Sequence, residues 1–244
     1  VFTTRTITVY GLAESKLGEI LADIAADEEN YHLAFLPSFP IIRLRMDAKA
    51  GAPHEADKIL DEKEQILNER IGENIISYDG RSMEAVLSEL LHSRRLTLAL
   101  AESITGGMIG EMLTRVPGAS RTFMGSVVSY SNDMKNRLLG VSQETLSAHG
   151  AVSHRCAREM ALGVRKAGNT DIGISVTGIA GPEGGSPEKP VGTFYVGLAA
   201  PDATLTRGFL LPGSRDWVRT LAAMQALDML RRHLLGYRIH GKED

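Results

Sequence analysis

The stretch Leu98-Ala-Leu-Ala-Glu-Ser-Ile-Thr-Gly-Gly107 decides how this chain is read. A short apolar run ends in an acid, two hydroxyl residues flanking Ile104, and a pair of glycines. The pattern predicts a buried strand over Leu96–Ala101 and a helix over 104–115, stopped by Pro117-Gly118. Ser103 stands at their junction, and two readings of it are open. It suits a helix N-cap, with the glycines packing against a neighbour. It also suits a nucleophile, because free N–H groups and the positive end of a helix dipole favour an anion there. Gly106 and Gly107 would then leave room for a ligand, so one segment would offer both a hydroxyl and oxyanion donors.

From that junction outward, strands and helices alternate. Ser82 is a candidate N-cap for a helix carrying Val86, Leu87, Leu90 and Leu91. Strands are predicted at Gly125–Ser131, Asp171–Val176, Gly192–Ala199 and Thr204–Leu210, and helices at Ser153–Ala167 and Ser214–Leu235. This alternation predicts an α/β domain over 82–244, layered around a mixed sheet. The first 77 residues read differently, as a small α+β module of order β-α-β-β-α-β. Its strands are Thr6–Tyr10, Tyr31–Leu36, Ile41–Met46 and Asn74–Ser77, and its longer helix is Pro53–Ile71, whose run Asp61-Glu-Lys-Glu64 reads as a solvated face. Pro37 and Pro40 are expected to stop any ladder between the second and third strands.

Composition limits the function. The 244 residues are 43% hydrophobic and 23% charged, ordinary values for a globular protein. A net charge of −3 and 5% aromatics argue against a nucleic-acid surface. No run of 18 apolar residues is present, so no membrane span is expected. The lone cysteine, Cys156, excludes an internal disulfide and points to the cytoplasm; it falls on an apolar helix face and reads as core. Only five of the 25 glycines precede residue 101, which places a small-molecule site in the second part.

Three further segments there could carry chemistry. In Val127-Val-Ser-Tyr-Ser-Asn-Asp-Met-Lys135, the polar Tyr130, Asn132 and Lys135 gather at a strand end. A partly buried lysine can act as base to a serine, because desolvation lowers its pKa, and Tyr130 could relay a proton; the other reading is a solvated loop lysine. The segment 175–193 puts five glycines and three prolines between two strands, with Thr177, Gly178, Gly181, Lys189 and Thr193 inside or beside it. Its backbone N–H groups suit a phosphate or an amide. Arg215 in the first turn of the last helix, with Arg219 one turn on, opposes the helix dipole and fits an anion, or else a surface arginine. The seven histidines (32, 54, 92, 149, 154, 233 and 240) show no metal-ligand spacing; His149 and His154 read as structural, and no metal is expected.

The motifs AESITGG, VVSYSNDMK…LLGV, HGAVS and VTGIAGPEGGSPEKPVGT resemble, in order and spacing, the C-terminal domain of the competence-damage-inducible (CinA) family over about 82–236. The first 77 residues resemble the KH-like middle module of that family, without the G-x-x-G loop that nucleic-acid binding by a KH module needs. The resemblance implies a three-layer α/β/α amidohydrolase domain that hydrolyses the carboxamide of nicotinamide mononucleotide to nicotinate mononucleotide and ammonia, without cofactor or metal. It further implies Ser103 as nucleophile, Lys135 and Tyr130 as its activating partners, and Thr105, Gly106, Gly107, Asn132, Thr177, Gly178, Gly181, Lys189 and Arg215 around the substrate. The arginine or the glycine-rich loop would hold the phosphate, and a homodimer is expected. Two features depart from the family. Ile104 stands where it usually has cysteine, and is expected to narrow the pocket. The long form also carries a molybdopterin-binding-like N-terminal domain that is not in this sequence, so the chain is expected to be a fragment of something longer. The alternative is a non-catalytic nucleotide-binding or recruitment module in competence or DNA-damage responses.

Overall fold

The computed structural model describes residues 1–25, 29–239 and the backbone of 242–243. Contacts divide it into two units, Val1–Val86 and Leu87–Asp244.

In the first unit, β1 (Phe2–Val9), α1 (Glu14–Ile20), β2 (Tyr31–Ser38), β3 (Ile41–Lys49), α2 (Pro53–Ile71) and β4 (Ile75–Ser77) follow the expected order. The four strands form an antiparallel sheet of order β2-β3-β1-β4. Alternate residues of β3 and the apolar stripe of α2 bury Leu44, Met46, Leu60 and Leu67 against Ile7, Val9 and Leu17. The prolines do not stop the ladder: Pro37 pairs with Ile42 and Ser38 with Ile41. β2 is an edge strand, and the bond from the Lys49 N–H to the Asn30 carbonyl sets which positions face β3. In that register Pro37 falls where the strand N–H points outward, so its missing donor costs the ladder nothing.

In the second unit, α3 (Met83–Ser93) enters from the first and leads to β5 (Leu98–Glu102), α4 (Met108–Thr114), β6 (Phe123–Val128), α5 (Asn132–Leu139) and α6 (Gln143–Ala148). Then come α7 (His154–Ala167), β7 (Ile172–Gly178), β8 (Thr193–Ala199), β9 (Thr204–Leu210), α8 (Arg215–Leu235) and the two-residue β10 (Lys242–Glu243). The sheet order is β10-β9-β8-β7-β5-β6. β6, β5 and β7 run parallel, and β8 and β9 are antiparallel to their neighbours, so the sheet is mixed. Helices α5 and α7 cover one face, where Ala99, Ala101, Leu139, Cys156, Met160 and Val164 pack together, while α4 and α8 lie on the other. The alternating pattern predicted a layered mixed sheet, and this is the three-layer α/β/α arrangement that the resemblance implied.

Between 131 and 150 the expected strand stops early, at Val128, and two short helices follow. Serines 131, 142, 153 and 214 cap α5, α6, α7 and α8, each accepting the N–H three residues on. Ser103 caps nothing. The helix expected over 104–115 begins only at Met108, because Gly106 (φ +61°) and Gly107 (φ +100°) are left-handed and cannot belong to it.

The start of α4 is held instead by Glu102, the last residue of β5 and fully buried. Its carboxylate accepts the N–H groups of Gly107, Ile109 and Gly110 and the hydroxyl of Ser126 on β6, at 2.9–3.0 Å. A buried carboxylate is tolerated only when so satisfied.

Two stability effects follow. In Glu102→Gln an NH₂ group faces backbone donors, so urea denaturation is expected to show a loss of about 3 kcal/mol. Gly163 of α7 lies against the end of α5, where an added Cβ would stand 1.9 Å from the Leu139 carbonyl oxygen. Gly163→Ala is therefore expected to cost at least about 2 kcal/mol, read as a lowered Tm.

Candidate active site

Ser103 extends β5 by one step, its N–H donating to the Val176 carbonyl at 3.0 Å. That bond turns its side chain to the face covered by α5 and α7. Lys135 reaches the same place from the first turn of α5, with Leu139 buried one turn later. The Lys135 Nζ donates to Ser103 Oγ at 3.0 Å and to the Ser129 carbonyl at 2.8 Å. Ser103 is 8% exposed and Lys135 1%. Burial holds the lysine pKa below its usual value, opposed by a weaker pull from neighbouring Cys156. The Cys156 thiol is itself pushed up to about 11, chiefly by burial, and so stays protonated at neutral pH.

The turn after Ser103 supplies polar groups. The Gly106 N–H closes back on the Ser103 carbonyl at 3.2 Å. The N–H groups at the observed helix start, those of Gly107, Ile109 and Gly110, belong to Glu102. Among the described residues, those of Ile104 and Thr105 are bonded to no other group. The hydroxyls of Thr105 and Ser129 are buried and likewise without a hydrogen-bond partner among the described residues. Arg219 holds the turn from α8, donating to the Thr105 carbonyl at 3.0 Å. Ile104 is buried.

The remaining candidates are placed less uniformly. Tyr130 is 62% exposed, and its hydroxyl accepts from Arg215 at 3.0 Å. Arg215, the first residue of α8, also donates to the Gly181 carbonyl at 2.7 Å, so its guanidinium is engaged by protein oxygens. Thr177 is buried and donates to the Ala151 carbonyl at 2.7 Å. Lys189 donates to the His149 carbonyl at 2.7 Å. Gly178 packs against Phe194, and Gly181 against Val191. Asn132 is exposed at the start of α5. Among the described residues no group of three or more His, Cys, Asp or Glu could hold a metal ion, and no helix is long and apolar enough to cross a membrane. His240 lies outside the described residues.

Glu102 and Ser129 were not singled out by the sequence reading. The signal for Glu102 was there, since an acid ending a buried apolar run must find donors. Ser129 carries no such mark.

Comparison with known proteins places these motifs. The model of the CinA C-terminal domain matches residues 80–234, and that of the damage-inducible protein CinA KH domain matches 4–77. A putative competence-damage inducible protein of Caldanaerobacter subterraneus is 44% identical over 236 residues, covering 97% of this chain. A CinA-like protein of Geobacter metallireducens is 39% identical over 234 residues, covering 96%. The chain spans only 57% of the length of either relative. Among solved structures, the competence/damage inducible protein CihA of Agrobacterium tumefaciens superposes with a TM-score of 0.59 at 35% identity, covering 64% of this chain and 97% of that one. A CinA superfamily protein of Klebsiella pneumoniae gives 0.61 at 30% identity, with the same coverage of both chains. Matched along both of its units, the chain belongs to the CinA family.

Proposed function

We propose that the chain is a serine amidohydrolase acting on the carboxamide of nicotinamide mononucleotide. The observation that carries this reading is the buried pair: a lysine with a lowered pKa, 3.0 Å from a serine hydroxyl, beside unbonded N–H groups. A neutral Lys135 takes the proton as Ser103 Oγ attacks the amide carbon. The oxyanion forms at the turn and takes the unbonded N–H groups of Ile104 and Thr105 as its donors. The lysine then returns its proton to the leaving nitrogen, ammonia departs, and an acyl ester remains on Ser103. Water, activated by the same lysine, hydrolyses the ester to the carboxylate. The choice of the mononucleotide rests on the resemblance of the chain to the amidohydrolase domains of its family, and the chemistry asks only for an amide.

Ser103→Ala is expected to lower ammonia release from the mononucleotide by at least about 10³-fold. Normal release from that variant would remove the serine from the mechanism, and no release from the unaltered protein at any substrate concentration would leave a binding role. The working lysine must be neutral, so kcat/KM is expected to rise with pH. The midpoint of that acid limb should lie below the ordinary lysine value of about 10.4. A rate that stays flat, or falls, across that range would contradict Lys135 as the base.

A further inference from the structure

Ser129 follows the last residue of β6 and is fully buried. Its backbone is engaged on both sides: the N–H donates to the Glu102 carbonyl at 2.8 Å, and the carbonyl accepts the Lys135 Nζ at 2.8 Å. Its hydroxyl has no hydrogen-bond partner among the described residues. A buried hydroxyl left without a partner costs stability, and the serine–lysine mechanism gives it no task. Such a group points to a partner that comes from outside the chain.

Strand alternation fixes where that hydroxyl lies. On β6, Ser126 bonds Glu102 and Val128 stands beside Gly107, both on the face covered by α4. Val127 between them packs with the cluster under α5 and α7. Ser129 continues the alternation of Val127 and faces α5 and α7 as well. β5 does the same: Ala99 and Ala101 pack in that cluster, and Ser103 comes two residues after Ala101. Glu102 pairs with Val128, so one step further Ser103 and Ser129 stand side by side on one face. Adjacent strands lie about 4.8 Å apart. Lys135 joins the two residues, donating to the Ser103 hydroxyl and to the Ser129 carbonyl.

We infer that Ser129 is a further catalytic residue, whose hydroxyl accepts an N–H of the scissile carboxamide and holds the leaving nitrogen beside Lys135. The inference rests on the amidohydrolase reading and adds to it a residue with a role of its own. An amide carbon in attack position lies about 3–3.5 Å from the Ser103 Oγ. Its nitrogen, one bond further toward β6, then comes within hydrogen-bond reach of a hydroxyl one strand away. The oxyanion donors belong to the turn after Ser103, so the oxygen and the nitrogen of the amide meet different segments. Once the carbon is tetrahedral, Lys135 gives that nitrogen the proton it took from Ser103. The carbonyl re-forms, the C–N bond breaks with its electron pair on nitrogen, and ammonia leaves. Ser129 neither gains nor loses a proton in the cycle.

The test uses two substrates that give one product: nicotinamide mononucleotide, and the methyl ester of nicotinate mononucleotide, whose leaving oxygen carries no hydrogen. Chromatography of the nicotinate mononucleotide formed from each gives the ratio of their kcat/KM values. Ser129→Ala is expected to lower that amide-to-ester ratio by at least about tenfold. Ser129→Thr keeps the hydroxyl and is expected to hold the ratio within about threefold. Because the hydroxyl has no protein partner, Ser129→Ala is also expected to melt at the temperature of the unaltered protein or above it. An unchanged ratio in an active alanine variant would overturn the inference and leave the amidohydrolase reading standing. So would a threonine variant that loses the ratio as alanine does. A lowered melting temperature in the alanine variant would make the hydroxyl structural and overturn the inference too. If the unaltered protein releases no ammonia from the mononucleotide, the amidohydrolase reading falls and the inference with it.

Discussion

The second unit is organised by one buried carboxylate. Glu102 ends β5 and receives three backbone N–H groups from the start of α4 and a hydroxyl from the neighbouring strand β6. It therefore fixes where α4 begins, how β6 lies against β5, and the direction in which the chain leaves the sheet. Ser103 is the next residue. A side chain on a free loop would share that loop's freedom; Ser103 instead follows directly on a charge that cannot shift without leaving several buried donors unsatisfied. The same arrangement explains why the glycines are needed. Gly107 must turn its N–H back toward Glu102 from a left-handed backbone, which side chains rarely adopt.

Glu102 points to the α4 face of the sheet, and Lys135 to the opposite one. Adjacent residues on a strand alternate in direction, so the acid and the lysine's partner Ser103 are neighbours in the chain and separated by the sheet. The separation matters chemically. A carboxylate beside Lys135 would favour the ammonium form and raise its pKa, undoing the effect of burial. The lysine instead faces a hydroxyl, a carbonyl and a neutral thiol over a floor of alanines and Met160. None of these stabilises a positive charge as a carboxylate would, and the pKa stays low.

Much of this architecture was legible, because it follows apolar period. β5, α7, β7, β8 and α8 all show it, and the small module was readable strand by strand. The misreadings have local causes. Helical spacing seemed to continue back to Ile104 because periodicity does not register the sign of φ at Gly106 and Gly107. α5 was missed because its pattern is inverted: Lys135 and Leu139 are buried, while Met134 and Leu138 are exposed. A helix whose inward face begins with a lysine looks like a polar loop to any hydrophobicity pattern. The resemblance implied the pairing of Ser103 with Lys135, 32 residues apart in sequence, and the order of the parallel strands is what brings the two together. Pro37 shows the opposite error, a strong local rule that holds for central strands and lapses on an edge.

The arginines of α8 change meaning once their oxygens are known. A cation in the first turn of a helix works against the dipole, by about 0.3–1 kcal/mol at an exposed site, so something must recover that cost. The sequence alone suggested a phosphate. In the structure Arg215 joins the Gly181 carbonyl to the Tyr130 hydroxyl, and Arg219 takes the Thr105 carbonyl. Three segments separated in the chain, the serine turn, the end of β6 and the glycine-rich loop, are thereby tied to the opening turns of one helix. Charge at this position holds shape: Arg215 and Arg219 bond the loops around the opening turns of α8. Arg215 uses two different nitrogens of its planar fork, one for the Gly181 carbonyl and one for the Tyr130 hydroxyl, where a lysine would have to bring both oxygens to a single nitrogen. This is why arginine, disfavoured by the dipole, suits the place.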